Sequence, residues 1–103
     1  MYRKEVKEMK VYVIHEEYHD MIGIAKDIKS AIKWLIDEKW ITENTDVYYE
    51  INDENENEAY AVSAAFGPEW KSYLIGLADD KAVLDEELER MGFYIYSEEV
   101  IGG

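Results

Sequence analysis

Cysteine is absent from this 103-residue sequence, and proline occurs only once. Without thiols, the chain can form neither a disulfide framework nor a thiolate metal site. Long hydrophobic runs are also missing, and the apolar KVYVI segment near the N-terminus is too short for a signal peptide or a membrane span. We therefore expect an intracellular, cytoplasmic protein without a membrane anchor.

Basic residues are scarce in the second part of the chain. Residues 1–41 contain eight Lys/Arg and eight Asp/Glu, whereas residues 42–103 contain three Lys/Arg and sixteen Asp/Glu, so the net charge of −13 lies in the second part. Such a negative field repels nucleic acid and anionic membranes and favours basic partners. The alternative interpretation is that the charge serves solubility alone.

Apolar and aromatic residues are plentiful enough for a hydrophobic core. The sequence is 48% hydrophobic and includes three Trp and nine Tyr. This composition and length predict a single acidic domain over residues 1–103. Residues 1–8 would be an N-terminal extension if translation begins at Met9.

The hydrophobic pattern predicts an α+β fold of order ββα-ββα-β: an antiparallel sheet of about five strands packed against two or three helices. Asp27 is placed to cap the first helix, and Trp34 lies off its apolar stripe. Gly76 and Asp79-Asp80 are expected to interrupt the second helical region, and Gly92 to end it. The predicted elements are strands 10–15 and 21–26, a helix from residue 27 to 41, strands 45–52 and 59–66, and helical structure from 68 to 91. A last strand over 93–96 is expected inside the sheet formed by the others.

The segment His15–His19 reads HEEYH, which resembles the H-E-x-x-H signature of zinc proteases. In those enzymes two histidines on one helical face bind zinc, and the neighbouring glutamate activates a water molecule. Here the preceding residues favour a strand and MIGIA follows closely, so a hairpin turn is predicted instead. A small metal-dependent hydrolase using His15, Glu16 and His19 remains an alternative function.

The C-terminal residues EEVIGG resemble the tails of sulfur-carrier and ubiquitin-like proteins. That resemblance implies a final glycine that is activated as an acyl-adenylate. Those families have one central helix in a ββαββ arrangement, whereas this chain has predicted helix directly before its last strand.

Acidic residues gather on the second hairpin and on the polar face of the second helical region, where residues 79–89 include six Asp/Glu. If hairpin and helix face the same way, their carboxylates imitate a phosphate backbone. The predicted partner-binding residues are Tyr48, Glu50, Asp53, Glu54, Glu56 and Glu58 of the hairpin, with Trp34 as an aromatic anchor.

In composition, the chain resembles small phage-encoded inhibitors such as anti-CRISPR proteins, and bacterial immunity proteins. The sequence thus predicts a noncatalytic, DNA-mimicking inhibitor that binds the basic surface of a nucleic-acid-binding enzyme and does not itself bind nucleic acid. No catalytic residue, metal or cofactor is predicted. The alternative is a structural or regulatory module that forms homodimers through apolar surface.

Overall fold

The computed structural model describes residues 7–50 and 57–102, with side chains described for residues 10–50 and 58–99. These ranges contain five strands and four α-helices, and the predicted α+β class and ββα-ββα-β order are confirmed. The elements are β1 Lys7–Glu16, β2 Asp20–Ala25, α1 Ile28–Asp37, β3 Asp46–Glu50, β4 Asn57–Ala61, α2 Val62–Phe66, α3 Trp70–Gly76, a 3₁₀ turn Leu77–Asp79, α4 Lys81–Glu89 and β5 Phe93–Gly102.

The five strands are divided between two antiparallel sheets. One sheet has the strand order β2-β1-β5, and the other consists of β3 and β4. Strands β1 and β5 pair along their whole length, from Lys7 opposite Gly102 to Glu16 opposite Phe93. The last strand was expected inside a sheet, but β1 occupies the centre and β5 an edge. Gly102 of the C-terminal pair therefore lies in β5, and Gly103 lies outside the described residues.

Helix α1 begins where the sequence predicts. The side chain of Asp27 accepts a hydrogen bond of 2.7 Å from the amide of Ser30, which satisfies a free donor of the first turn. The helix ends at Asp37, earlier than predicted, and Lys39 adopts a left-handed φ of 65°. Ile41 is nevertheless fully buried, so the apolar pattern continues into the core beyond the helix.

The core lies between one face of the three-stranded sheet and the helices. Ile14 and Ile95 of the sheet meet fully buried leucines of α1, α3 and α4, and Val47 of β3 joins the same cluster. Each such side chain contributes about 1.5–3 kcal/mol when it is fully buried. The core thus fixes the second hairpin and α4 in relation to the sheet.

The predicted strand over residues 59–66 is wrong in its second part. Strand β4 ends at Ala61, and residues 62–66 form α2. The amide of Val62 donates to the carbonyl of Thr45 at 2.9 Å, and the amide of Ser63 donates to that of Glu43 at 3.0 Å. The alanines that follow are strong helix formers, so the chain turns helical once Val62 is buried.

The second helical region is interrupted as predicted. Helix α3 ends at Gly76, and α4 starts after Asp80, whose side chain accepts a bond of 3.4 Å from the amide of Val83. Gly92 has a φ of 85° and reverses the chain into β5. No helix in the described part of the chain is long and apolar enough to cross a membrane.

Candidate functional site

The end of α4, the β1–β2 turn and strand β3 enclose a groove of about 490 Å³. Most of its side chains are carboxylates, and we call it the acidic groove. Its lining residues are Glu17, Tyr48, Glu50, Glu86, Glu89, Arg90 and Gly92.

Backbone hydrogen bonds hold the three walls of the acidic groove together. The amide of Tyr48 in β3 donates to the carbonyl of Arg90 at 3.0 Å. The amide of Glu17 in the β1–β2 turn donates to the carbonyl of Gly92, also at 3.0 Å. These main-chain bonds fix the backbone positions from which the carboxylates project.

The charge of the acidic groove is strongly unbalanced. Arg90 donates to Glu86 at 2.7 Å and to Glu87 at 3.4 Å, and its guanidinium lies 4.9 Å from the ring centre of Tyr49. Among the described side chains, no Lys or Arg forms an ion pair with Glu17, Glu50 or Glu89. These three carboxylates are therefore available to a basic partner.

Tyrosines around the acidic groove respond to this negative potential. The side-chain hydrogen bond with Glu17 and the charge of that carboxylate raise the pKa of Tyr18. Burial raises the pKa of Tyr94, and the charges of Glu89 and Glu17 raise it further. At Tyr18 a carboxylate is thus the main cause that opposes ionisation, and the same carboxylate attracts positive charge.

Two tyrosines beside the acidic groove are open to solvent. The side chain of Tyr18 is 84% exposed and that of Tyr48 is 51% exposed. Tyrosine rings stack on arginine guanidinium groups, and the pair formed by Arg90 and Tyr49 shows this contact within the protein itself. The arrangement can therefore hold a basic side chain both by its charge and by an aromatic face.

The predicted binding residues are only partly brought together. Tyr48 and Glu50 line the acidic groove. Glu58 pairs with Tyr49, so it lies on the other face of the hairpin, where its hydrogen bond raises the pKa of Tyr60. The remaining hairpin acids predicted for the site, Asp53, Glu54 and Glu56, lie outside the described residues.

Trp34 does not line the acidic groove. It is half-buried on α1, packs against the core and places its ring over Gly23 of β2. The structure therefore gives this indole a packing role, although the sequence analysis placed it among the partner-binding residues.

Glu17 is the groove residue that sequence reasoning missed, because it was considered only as part of HEEYH. The pairing of β1 with β5 places the β1–β2 turn beside Gly92, next to the end of α4. A prediction that β5 pairs with β1 would have placed Glu17 near Glu89.

The HEEYH segment lies on a strand and a turn, as predicted, and lacks the helix that the zinc signature requires. His15 belongs to β1, whereas His19 lies in the turn, bonds through Nδ1 to Glu16 and packs edge-on against Trp40 at 5.5 Å. Among the side chains that the structure describes, no group of three or more His, Asp or Glu could hold a metal ion.

A larger groove of about 610 Å³ lies between the end of α1 and the start of α3. Charges of both signs surround it, including Asp37, Glu43 and Glu69 but also Lys39 and Lys71. Because the larger groove favours neither a basic nor an acidic partner, the acidic groove is the better candidate site.

Comparisons with known proteins add no relative. No protein family model, no curated protein and no solved structure matches this chain.

Proposed function

We propose that this protein is a noncatalytic binding module that inhibits a basic nucleic-acid-binding protein by occupying its basic surface with the acidic groove. The observation on which this rests is the convergence of Glu17, Glu50, Glu86 and Glu89 from three separate elements on one groove.

The chain as a whole supports the same partner chemistry. Its net charge of −13 attracts basic proteins and accelerates their encounter with the groove. Nucleic acid is repelled by the same field, so the protein competes with nucleic acid rather than binding it. Duplex DNA presents about one negative charge per 1.7 Å of axis, and a groove with several carboxylates occupies part of such a footprint.

Inhibition follows from competition and needs no covalent chemistry. The carboxylates of Glu17, Glu50 and Glu89 pair with Lys or Arg side chains that otherwise contact phosphates. Tyr18 and Tyr48 add aromatic contacts that phosphates cannot provide, so the inhibitor gains affinity beyond its charge.

The test begins with capture of partners from the host lysate on the tagged protein, followed by elution in a salt gradient. A captured basic protein is then purified, and its affinity for this chain is measured with and without duplex DNA as competitor. The groove variant combines Glu17→Gln, Glu50→Gln and Glu89→Gln. The matched control combines Glu38→Gln, Glu43→Gln and Glu69→Gln, which remove the same charge from exposed positions outside the acidic groove.

We expect the groove variant to lose at least about tenfold in affinity, equal to about 1.4 kcal/mol, while the control stays near the wild type. DNA should displace the protein from its partner, and salt should weaken binding steeply. Equal losses of affinity in both variants would show that only the net charge of the protein, and not the position of the groove carboxylates, contributes to binding. A partner that binds DNA and this protein at the same time would disprove the competition mechanism.

A further inference from the structure

The three-stranded sheet has an outer face that faces away from the helices. The inner face contains Ile14, Phe93 and Ile95, which pack in the core. Because side chains alternate along a strand, the neighbours of these residues point to the opposite side. On β2 a bulge shifts the register between Ile14 and His15, so that Met21, three residues from Ile24, pairs with His15. We call that side the outer patch, and its residues are Val11, Val13, His15, Met21, Ile24, Tyr94 and Tyr96.

The outer patch is apolar and continuous. Ile24, Met21 and Tyr96 are 59%, 56% and 52% exposed, whereas Val13 between them is only 4% exposed because its neighbours cover it. His15 packs edge-on against Tyr96 with ring centres 5.2 Å apart. Exposed apolar side chains grouped in this way offer a surface for association.

Two opposite charges flank one end of the outer patch. Val11 lies opposite Glu98 of β5. On its other side, Tyr12 pairs with Ala25, so the next residue, Lys26, is level with Val11. Lys26 and Glu98 are both exposed. Across the sheet at this level, from β2 to β5, the side chains are therefore basic at Lys26, apolar at Val11 and acidic at Glu98.

We propose that the outer patch binds a second copy of this chain about a two-fold axis that runs parallel to β1. This rotation places β2 of each copy over β5 of the other, in an aligned sheet-on-sheet packing about 10 Å apart. Lys26 then faces Glu98 of the second copy, and the symmetry forms this ion pair twice. Ile24 faces Tyr96, and Met21 faces Tyr94, a favourable sulfur–aromatic contact.

The charge distribution favours a second copy as the occupant. Each copy has a net charge of −13, so two copies avoid carboxylate repulsion only where their surfaces are neutral or complementary. The outer patch contains no carboxylate, and under this rotation Lys26 of each copy meets Glu98 of the other. The outer patch covers three strands and three levels of outward-facing residues along them, an area on the order of 300 Å². A standard interface buries roughly 800 Å² per partner, so we expect a weak dimer.

Salt separates this association from binding in the acidic groove. Two strongly negative copies repel each other, and added salt screens this repulsion. Self-association should therefore strengthen with salt, whereas binding of a basic partner in the acidic groove should weaken. Either proposal can fail while the other stands.

The experiment is sedimentation equilibrium of the full chain from about 10 µM to about 1 mM, at two salt concentrations. Ile24→Glu puts a carboxylate into the outer patch, and Val83→Glu is its matched control because Val83 is exposed on α4 and is not part of the outer patch. Lys26→Glu and Glu98→Lys are measured singly, mixed with one another, and combined in one chain. Circular dichroism confirms that each variant is folded.

We expect Ile24→Glu to weaken self-association at least about tenfold and Val83→Glu to leave it unchanged. Each single charge reversal should weaken it, whereas the combined variant and the equimolar mixture should restore it, because only then do opposite charges meet across the axis. A monomer at every concentration would overturn the proposal and leave the patch to another occupant. A dimer that is indifferent to Ile24→Glu, or single reversals that no combination restores, would overturn it equally.

Discussion

The indole of Trp34 lies directly over Gly23, so close that a Cβ placed on Gly23 would be 2.9 Å from the Cη2 atom of the ring. Helix α1 therefore rests on β2 through an aromatic ring that occupies the space of a missing side chain. This contact explains why Trp34 lies off the apolar stripe of α1 and yet packs against the core.

Gly23→Ala is expected to destabilise the protein by about 1–3 kcal/mol, because the new methyl group must displace the ring of Trp34. In a Trp34→Ala background the same change should be nearly neutral, which gives a coupling free energy above about 1 kcal/mol. Urea unfolding of the two single variants and the double variant measures this cycle. Additive effects would show that the ring does not restrict Gly23.

Because Trp34 packs rather than lining the acidic groove, Trp34→Ala should lower the free energy of unfolding without changing the affinity of a folded sample for a basic partner. The measurement is the dissociation constant under conditions in which the variant is fully folded. A loss of affinity in such a sample would return Trp34 to the partner-binding residues predicted from the sequence.

Gly92 and Gly67 form a natural pair for testing the geometry of the groove. Both have left-handed φ angles, 85° and 83°, but a Cβ on Gly92 would lie 3.0 Å from the carboxylate of Glu17, whereas one on Gly67 would meet nothing within 4 Å. Gly67 also has a ψ of −174°, a combination occupied almost only by glycine, so alanine at either position should cost on the order of 1–3 kcal/mol of stability through backbone strain.

Only Gly92→Ala should also weaken partner binding, because the methyl group displaces Glu17 within the acidic groove. The stability of both variants is measured by thermal or urea unfolding, and affinity is measured with the captured partner. If Gly67→Ala weakened binding as much as Gly92→Ala, the loss would come from general destabilisation and not from the position of Glu17.

The sequence was sufficient for the fold class, the helix cap at Asp27 and the chain reversal at Gly92, because each follows from local residue chemistry. It was insufficient at Val62, since alternating apolar residues next to alanines fit both a strand and a short helix. The backbone bond from Val62 to Thr45, a contact between separate segments, decides between them. Local patterns do not contain such information.

The sequence likewise predicted only part of the acidic groove, because local patterns do not contain the contacts between separate segments that complete it. The sequence analysis stated the convergence of hairpin and helix acids as a condition, and in the structure Glu50 lines the same groove as Glu86 and Glu89. Glu17 joins them only through the long-range pairing of β1 with β5, which brings together residues close to the two ends of the chain. Alternation along the hairpin also divides its acids between two faces, so Glu50 and Glu58 point apart.

The two groups of acids can be compared directly with the hairpin variant Glu54→Gln, Glu56→Gln and Glu58→Gln. It removes the same charge as the groove variant but leaves Glu17, Glu50 and Glu89 in place. We expect it to slow association moderately through the weaker long-range field and to change dissociation little, whereas the groove variant should accelerate dissociation. Stopped-flow or surface-based kinetics measure both rates. Faster dissociation of the hairpin variant alone would move the binding site from the groove to the hairpin.

Stability at high pH should depend on Tyr49. Burial raises the pKa of Tyr49 above its ordinary value of 10.0, the charge of Glu87 raises it further, and Arg90 partly opposes this. Because the folded state holds the phenolic proton more tightly than the unfolded state, the contribution of Tyr49 is fully present below about pH 10. It is lost as the pH rises from there through the pKa of the folded state.

The variant Tyr49→Phe cannot ionise at this position, so its free energy of unfolding should fall less steeply than that of the wild type above pH 10. Urea unfolding at a series of alkaline pH values measures the difference, and the ultraviolet absorbance of tyrosinate follows the titration. Tyr73 and Tyr94, whose pKa values are also raised, remain in both proteins, so the comparison isolates Tyr49. Identical slopes for variant and wild type would show that the ring of Tyr49 ionises as readily in the folded protein as in the unfolded chain.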